Sequence, residues 1–263
     1  MKRLTIGLAA LAFVTTGTSA QNGRIRPFEI ADNSLLVEEA FNQEAGVFQN
    51  IFLLQAPRSG GGWSLEFTQE WPLGGQRHQL SFTLPIALDE FEVGNLVLNY
   101  RLQAWSEAAG PAVSPRLSLI VPTGEDQGFQ WGVQLNLPAS KQFGDLYVHA
   151  NAGTTLTREE VAPGEASSLV SPQVAGSVIW RARPMLHLLV ETVARFEETR
   201  AAICCATGRE STLVIAPGFR AARNLGTHQV VVGAAVPVTA AGPESGTRLL
   251  LYLSYELPFK AGR

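Results

Sequence analysis

Between Trp63 and Pro85 the chain alternates large apolar and polar residues on both sides of a Gly74-Gly75 turn. Successive side chains of a strand point to opposite sides, so Trp63, Leu65, Phe67 and Trp71 share one face while Glu66 and Glu70 share the other. The same period of two recurs in "FQWGVQLNLP", where Phe129, Trp131, Val133, Leu135 and Leu137 oppose Gln130, Gly132, Gln134 and Asn136. In "RLLLYLSYELPF" one face reads Leu249, Leu251, Leu253, Tyr255, Leu257 and Phe259, and the other Arg248, Leu250, Tyr252, Ser254 and Glu256. About twelve such segments follow one another, beginning with "FNQEAGVFQNIFLL" and the pair around Gly74 and ending with "TRLLLYLSYELPF".

Most of these segments are longer than an ordinary strand and close to the roughly 9–11 residues that cross a bilayer at a tilt. Their polar faces carry Gln, Asn, Ser, Thr and Gly rather than the Lys and Glu of a surface facing bulk water. That composition suits the lumen of a barrel, with the apolar faces turned to lipid. The connections also alternate. "QAPRSGGG", "IALDEFEV", "TREEVAPGEASS", "ETRAAICCATGRE" and "TAAGPESG" are long, whereas "PLGGQ", "RARP" and "ARNLG" are short, as expected for external loops and periplasmic turns. "SEAAGPAV" breaks the regularity by being long where a short turn is expected.

Composition agrees with this reading and excludes others. Charged residues make up 16% of the 263, and no window after the N-terminus holds the 18 or so uninterrupted apolar residues of a membrane-spanning helix. At the N-terminus, Lys2 and Arg3 precede "LTIGLAALAFV" and the small residues Thr18 and Ala20, the pattern of a cleaved secretory signal over residues 1–20. Its removal takes two positive charges from a formal net charge of −3, leaving −5 with no basic stripe, so nucleic acid is not an expected partner. Residues 21–45 are expected to form a periplasmic segment, either a short helix at Leu35, Leu36 and Val37 or a plug entering the lumen. Residues 46–259 are then the barrel, and 260–263 a short tail.

"NSLLVEEAFNQE" at 33–44, "FTQEWPLGGQRHQLSFTLP" at 67–85, "LNYR" at 98–101, "PRLSLIVPTG" at 115–124 and "VQLNLP" at 133–138 carry a family resemblance. Together they resemble the transporter-like outer-membrane barrels labelled as a MetA pathway of phenol degradation. The resemblance implies an outer-membrane barrel that passes small organic molecules, and it brings no catalytic residues. The chain departs from the usual pattern by continuing as "KAGR" after Phe259.

The expected fold is therefore all-β: a transmembrane antiparallel up-and-down barrel of about twelve strands. If the apolar face is outermost on each strand, Glu66, Glu70, Arg77, Arg101, Arg116, Glu191, Arg195, Arg220, Arg248 and Glu256 point inward. They form either a bracing network or a lumen that selects solutes, and an arginine-rich constriction would favour anions or polarised aromatics. His78, His149, His187 and His228 fall on separate strands with no acidic cluster, so no metal or other cofactor is expected. His149 could meet Ser177 across neighbouring strands, but no nucleophile, base and orienting group come together by spacing, and no enzyme is expected. Cys204 and Cys205 are adjacent in an external loop of an oxidising compartment, where a disulfide between them competes with a reduced pair and with an intermolecular bridge. The functional expectation is an outer-membrane channel for small organic solutes, with lipid as its surroundings. The alternative is a closed structural or interaction barrel acting through its external loops.

Overall fold

The computed structural model describes residues 29–30, 34–57, 62–124, 128–162, 165–200, 207–242 and 246–259. The signal at 1–20, Cys204, Cys205 and the tail at 260–263 lie outside them.

Twelve strands form one closed antiparallel ring in chain order. They are β1 (Val47–Pro57), β2 (Ser64–Pro72), β3 (His78–Ala87), β4 (Leu96–Leu102), β5 (Arg116–Val121) and β6 (Phe129–Phe143). Then follow β7 (Leu146–Ala162), β8 (Glu165–Arg183), β9 (Leu186–Arg200), β10 (Thr207–Leu225), β11 (His228–Ala235, resuming at Val238–Ala241) and β12 (Arg248–Pro258). Closure is made by β12 on β1, in register from Val47 opposite Pro258 to Pro57 opposite Arg248. A closed ring leaves no strand edge unpaired, which hydrocarbon surroundings require.

Each strand turns its apolar face outward. Leu249, Leu251 and Leu253 of β12, Leu135 and Leu137 of β6, and Trp180 of β8 are all exposed on the outer surface. Such a continuous apolar exterior would be an aggregation hazard in water and is the natural surface of a barrel in lipid.

One end of the barrel has tight connections. Gly144 and Gly226 adopt positive φ in two-residue turns, and Gly74 does so in the turn between β2 and β3. The exception is residues 103–115, joining β4 to β5, which hold a 3-10 turn at Glu107–Ala109 and a two-residue strand, Ala112–Val113, paired with β6. At the opposite end the structure departs from the expected long loops. Most of "TREEVAPGEASS" is ladder: β7 runs to Ala162 and β8 starts at Glu165. Likewise β9 extends to Arg200 and β10 starts at Thr207. These hairpins continue because antiparallel pairing satisfies backbone groups equally well beyond the membrane, helped by cross-strand contacts such as Arg209 with Glu198 at 2.9 Å.

The interior is two-sided. Gln79, Ser81, Asn99, Ser118, Asn136, Ser140 and Asn151, from β3 to β7, make a polar wall. Opposite it, Ile51, Ile179, Leu189, Ala216, Val231, Ala235, Leu250 and Tyr252 form an apolar cluster with Ile30 and Leu35. The expectation of a mostly polar lumen is corrected on this side, because the chain supplies its own apolar filling there.

Candidate functional site

Residues 34–44 contain no helix and lie within the ring, and the lumen is built around them. Their backbone is held in an irregular course by side chains from the wall. Glu191 of β9 accepts three backbone N–H groups: Oε1 from Leu35 and Val37, each at 3.2 Å, and Oε2 from Leu36 at 2.7 Å. Asn151 of β7 clasps Glu38, accepting from its N–H and donating to its carbonyl, both at 2.8 Å. Ser140 Oγ accepts from the Ala40 N–H at 2.8 Å, while Ser114 Oγ and Gln103 Nε2 donate to its carbonyl at 3.0 Å. A helix there would satisfy the same N–H groups internally, so these wall residues replace it.

Charged contacts are concentrated at Glu38 and Glu39. Glu38 Oε1 lies 3.0 Å from Arg101 Nη1, and its Oε2 lies 3.0 Å from Arg116 Nε and 2.6 Å from Asn136 Nδ2. Burial would raise the pKa of Glu38, but Arg116 and Arg101, with the hydrogen bonds from Asn136 and Arg101, outweigh it and hold the carboxyl below its ordinary value of 4.5. Glu39 Oε1 accepts from Arg220 Nη1 at 3.0 Å and from Ser34 Oγ at 3.1 Å. Arg101 also donates to Asn42, Gln79 and the carbonyls of Glu39 and Phe41, which leaves its guanidinium almost wholly committed.

Leu35 fits against the wall at Gly233, where an added Cβ would stand 3.2 Å from Leu35 Cδ2 and 2.9 Å from the Phe219 carbonyl. The segment thus combines an apolar foot on β8–β12 with polar anchors on β3–β7, β9 and β10.

The ten ionisable residues marked in the sequence separate into groups. Glu70, Arg101, Glu191 and Arg220 are buried inside the ring, with Arg116 and Glu256 partly buried. Glu66 and Arg195 are exposed on the inward faces of β2 and β9, and Arg248 is exposed at the beginning of β12. Arg77 lies in the turn after β2, exposed, because β3 begins only at His78. Each histidine is engaged by a neighbour. His78 stacks on Tyr100, and its Nδ1 is 2.7 Å from the hydroxyl. His228 stacks on Tyr255. His187 accepts from Arg220 Nε at 3.2 Å. His149 stacks on Tyr147, and its Nδ1 is 2.7 Å from Ser140 Oγ, so its short contact is to the strand before rather than to Ser177.

Strand alternation does not mark Glu38 and Glu39, because they precede the first strand. A signal did exist: six of the inward candidates are arginines and four are glutamates, so the lumen lacks carboxylates of its own to match them.

Two cavities flank the segment. One of about 450 Å³ lies toward the tight-turn end, between Phe41, Asn42, Gln43 and the wall at Gln49, Glu70, Gln229 and Glu256. The other, about 200 Å³, lies between Leu35–Glu38 and the wall at Ile51, Glu66, Thr68, Ser81, Asn99 and Tyr252. Glu70 lines both.

Fold and interior together define a porin-like, twelve-stranded barrel with an internal N-terminal segment. No family model and no curated protein matches the chain. Among solved structures it is similar to the COG4313 outer membrane channel from Pseudomonas putida F1, with a TM-score of 0.58 at 14% identity over 83% of this chain and 98% of that one. A porin named NanC aligns with a TM-score of 0.49 at 10% identity, over 81% of this chain and 100% of that one. At these identities the likeness is one of fold.

Proposed function

We propose that the protein is a passive channel of the bacterial outer membrane for small organic solutes, narrowed by its own N-terminal segment. The observation that carries this reading is the pair of cavities on either side of residues 34–44, within a closed ring whose exterior is apolar. A barrel meant only as a wall or an adhesive surface has no need of polar space on both sides of its filling. The apolar exterior and the similarity to a channel fold support the membrane location.

The solute class follows from the interior's two-sidedness and from the family resemblance. A cavity with Leu35, Ile51 and Tyr252 on one side and Ser81, Asn99 and Arg116 on the other fits compounds that are apolar over one part and hydrogen-bonding over another, single-ring aromatics among them. The site residues then have two roles. Glu191, Arg101 and Arg220 hold the segment, and Glu66, Glu70 and Glu256 face the remaining space.

The purified barrel, folded into liposomes, is expected to admit small sugars and amino acids in a swelling assay. In planar bilayers its current is expected to fall when a single-ring aromatic alcohol is added. Swelling without any effect of the aromatic would remove the solute class and leave the channel. Absence of both swelling and current would remove the channel.

A further inference from the structure

The lumen is filled on one side of residues 34–44 and hollow on the other. On the filled side Glu191 of β9, Asn151 of β7 and Ser140 of β6 bond the segment at Leu35–Val37, Glu38 and Ala40. Ile179 of β8 and Leu189 of β9 cluster there with Leu35. Both cavities adjoin the other side. Tyr252 of β12, Ile51 of β1 and Thr68 of β2 line the smaller one, and Glu256, Gln49 and Glu70 of the same strands line the larger. They are separate spaces that share Glu70, so a partition divides them beside that residue.

The partition is built from β3, β4 and the segment. Gln79 of β3 is directly opposite Arg101 of β4, and both line the smaller cavity. Gln79 is buried, and its Oε1 accepts twice: from the Gln43 backbone N–H at 2.6 Å and from Arg101 Nη2 at 3.0 Å. Gln43 lines the larger cavity, so the first of these bonds crosses from one cavity to the other. The second keeps Arg101 Nη2 at 4.0 Å from Glu70 Oε2. A direct N–H···O bond spans about 2.7–3.2 Å, so this ion pair is open enough to part without breaking one, and the Gln79 carboxamide borders the gap.

We infer that the narrowest point of the passage lies between Glu70 and Arg101, and that Gln79 is the positioning residue that sets its width, by tying Gln43 and Arg101 to one oxygen. The inference rests on the channel reading above. It gives control of conduction to an uncharged side chain, because the charged groups beside it offset one another and Arg101 is held where Gln79 places it.

Single-channel conductance of the full-length barrel in planar bilayers in KCl tests this. Gln79→Ala removes a methylene and a carboxamide, room for about two waters, and a passage one water wide that gains a second file is expected to conduct about twofold more. Gln79→Glu keeps an accepting oxygen on a chain of the same length and is expected to restore the narrow state. Asn151→Ala frees the segment on its filled side and is expected to raise conductance less than Gln79→Ala does. Heat-modifiable migration in gels checks that each variant is folded. Folded Gln79→Ala with wild-type conductance overturns the inference. So does Gln79→Glu or Asn151→Ala conducting as well as Gln79→Ala, and each of these results leaves a conducting channel standing. A silent wild type that Gln79→Ala opens supports the partition and overturns the open resting state. Silence in both folded barrels overturns the channel reading, and this inference with it.

Discussion

Arg101 and Glu38 are sixty-three residues apart in sequence and meet at 3.0 Å inside the barrel. The other oxygen of the same carboxylate is 3.0 Å from Arg116, so one residue ahead of the first strand joins β4 to β5 through the lumen. Breaking a buried pair leaves uncompensated charge and costs about 3–5 kcal/mol. Glu38→Gln is therefore expected to loosen the segment while the barrel stays intact. Cleavage at Glu39 and Glu44 by a glutamate-specific protease should accelerate in this variant relative to wild type, with unchanged heat-modifiable migration. An unchanged cleavage rate would show that the pair does not hold the segment.

The same carboxylate gives the docking a pH dependence of definite sign. Because the pKa of Glu38 is depressed in the folded protein, its contribution is fully present above 4.5 and is lost as pH falls through the lowered value. The share of the segment's protection that Glu38 supplies is expected to hold from neutral pH down to about 4.5 and to weaken only below it. Glu38→Gln should remove that acidic step, as read by fluorescence of a dye attached near residue 44 in a barrel lacking other reactive thiols. An acidic step that persists unchanged in Glu38→Gln would contradict this assignment.

Glu191 has a different task, since its two oxygens accept from three backbone N–H groups. Glu191→Ala leaves those donors buried without their partner, at about 1–3 kcal/mol each where no water replaces the carboxylate. The variant should show faster hydrogen exchange at Leu35, Leu36 and Val37, with β9 still protected. Retained protection at those amides would contradict the role given to Glu191.

Side-chain direction can be tested on two neighbouring strands. Leu251 is exposed on the outer face of β12, and Arg there is expected to cost about 2–4 kcal/mol near the membrane midplane. Gln55, on the inner face of β1, should accept Arg with a much smaller loss. Folding titrations in lipid vesicles that gave equal costs at Leu251 and Gln55 would contradict the assigned faces.

The sequence made the wall legible and the filling largely illegible, for a physical reason. Alternation at Leu249, Leu251 and Leu253 reports which way a side chain points, and it holds in the structure. It says nothing about what an inward side chain meets. Arg101 and Arg220 were legible as inward, but their partners Glu38 and Glu39 lie outside any periodic segment. Ile179, Val231 and Leu250 likewise occupy inward positions, and only the docking of Ile30 and Leu35 explains why they are apolar. The outer stretch of β9–β10 reads as a loop because turn-forming residues such as Gly208 interrupt the alternation, yet Gly208 pairs in the ladder opposite Thr199.

Conduction by the unmodified barrel in a planar bilayer tests the central claim most directly. Stepwise insertion of small, discrete current levels in KCl is expected from a channel that its N-terminal segment narrows but leaves open. Folded barrels that insert into lipid, migrate as heat-modifiable species and carry no current at any applied voltage would contradict the account.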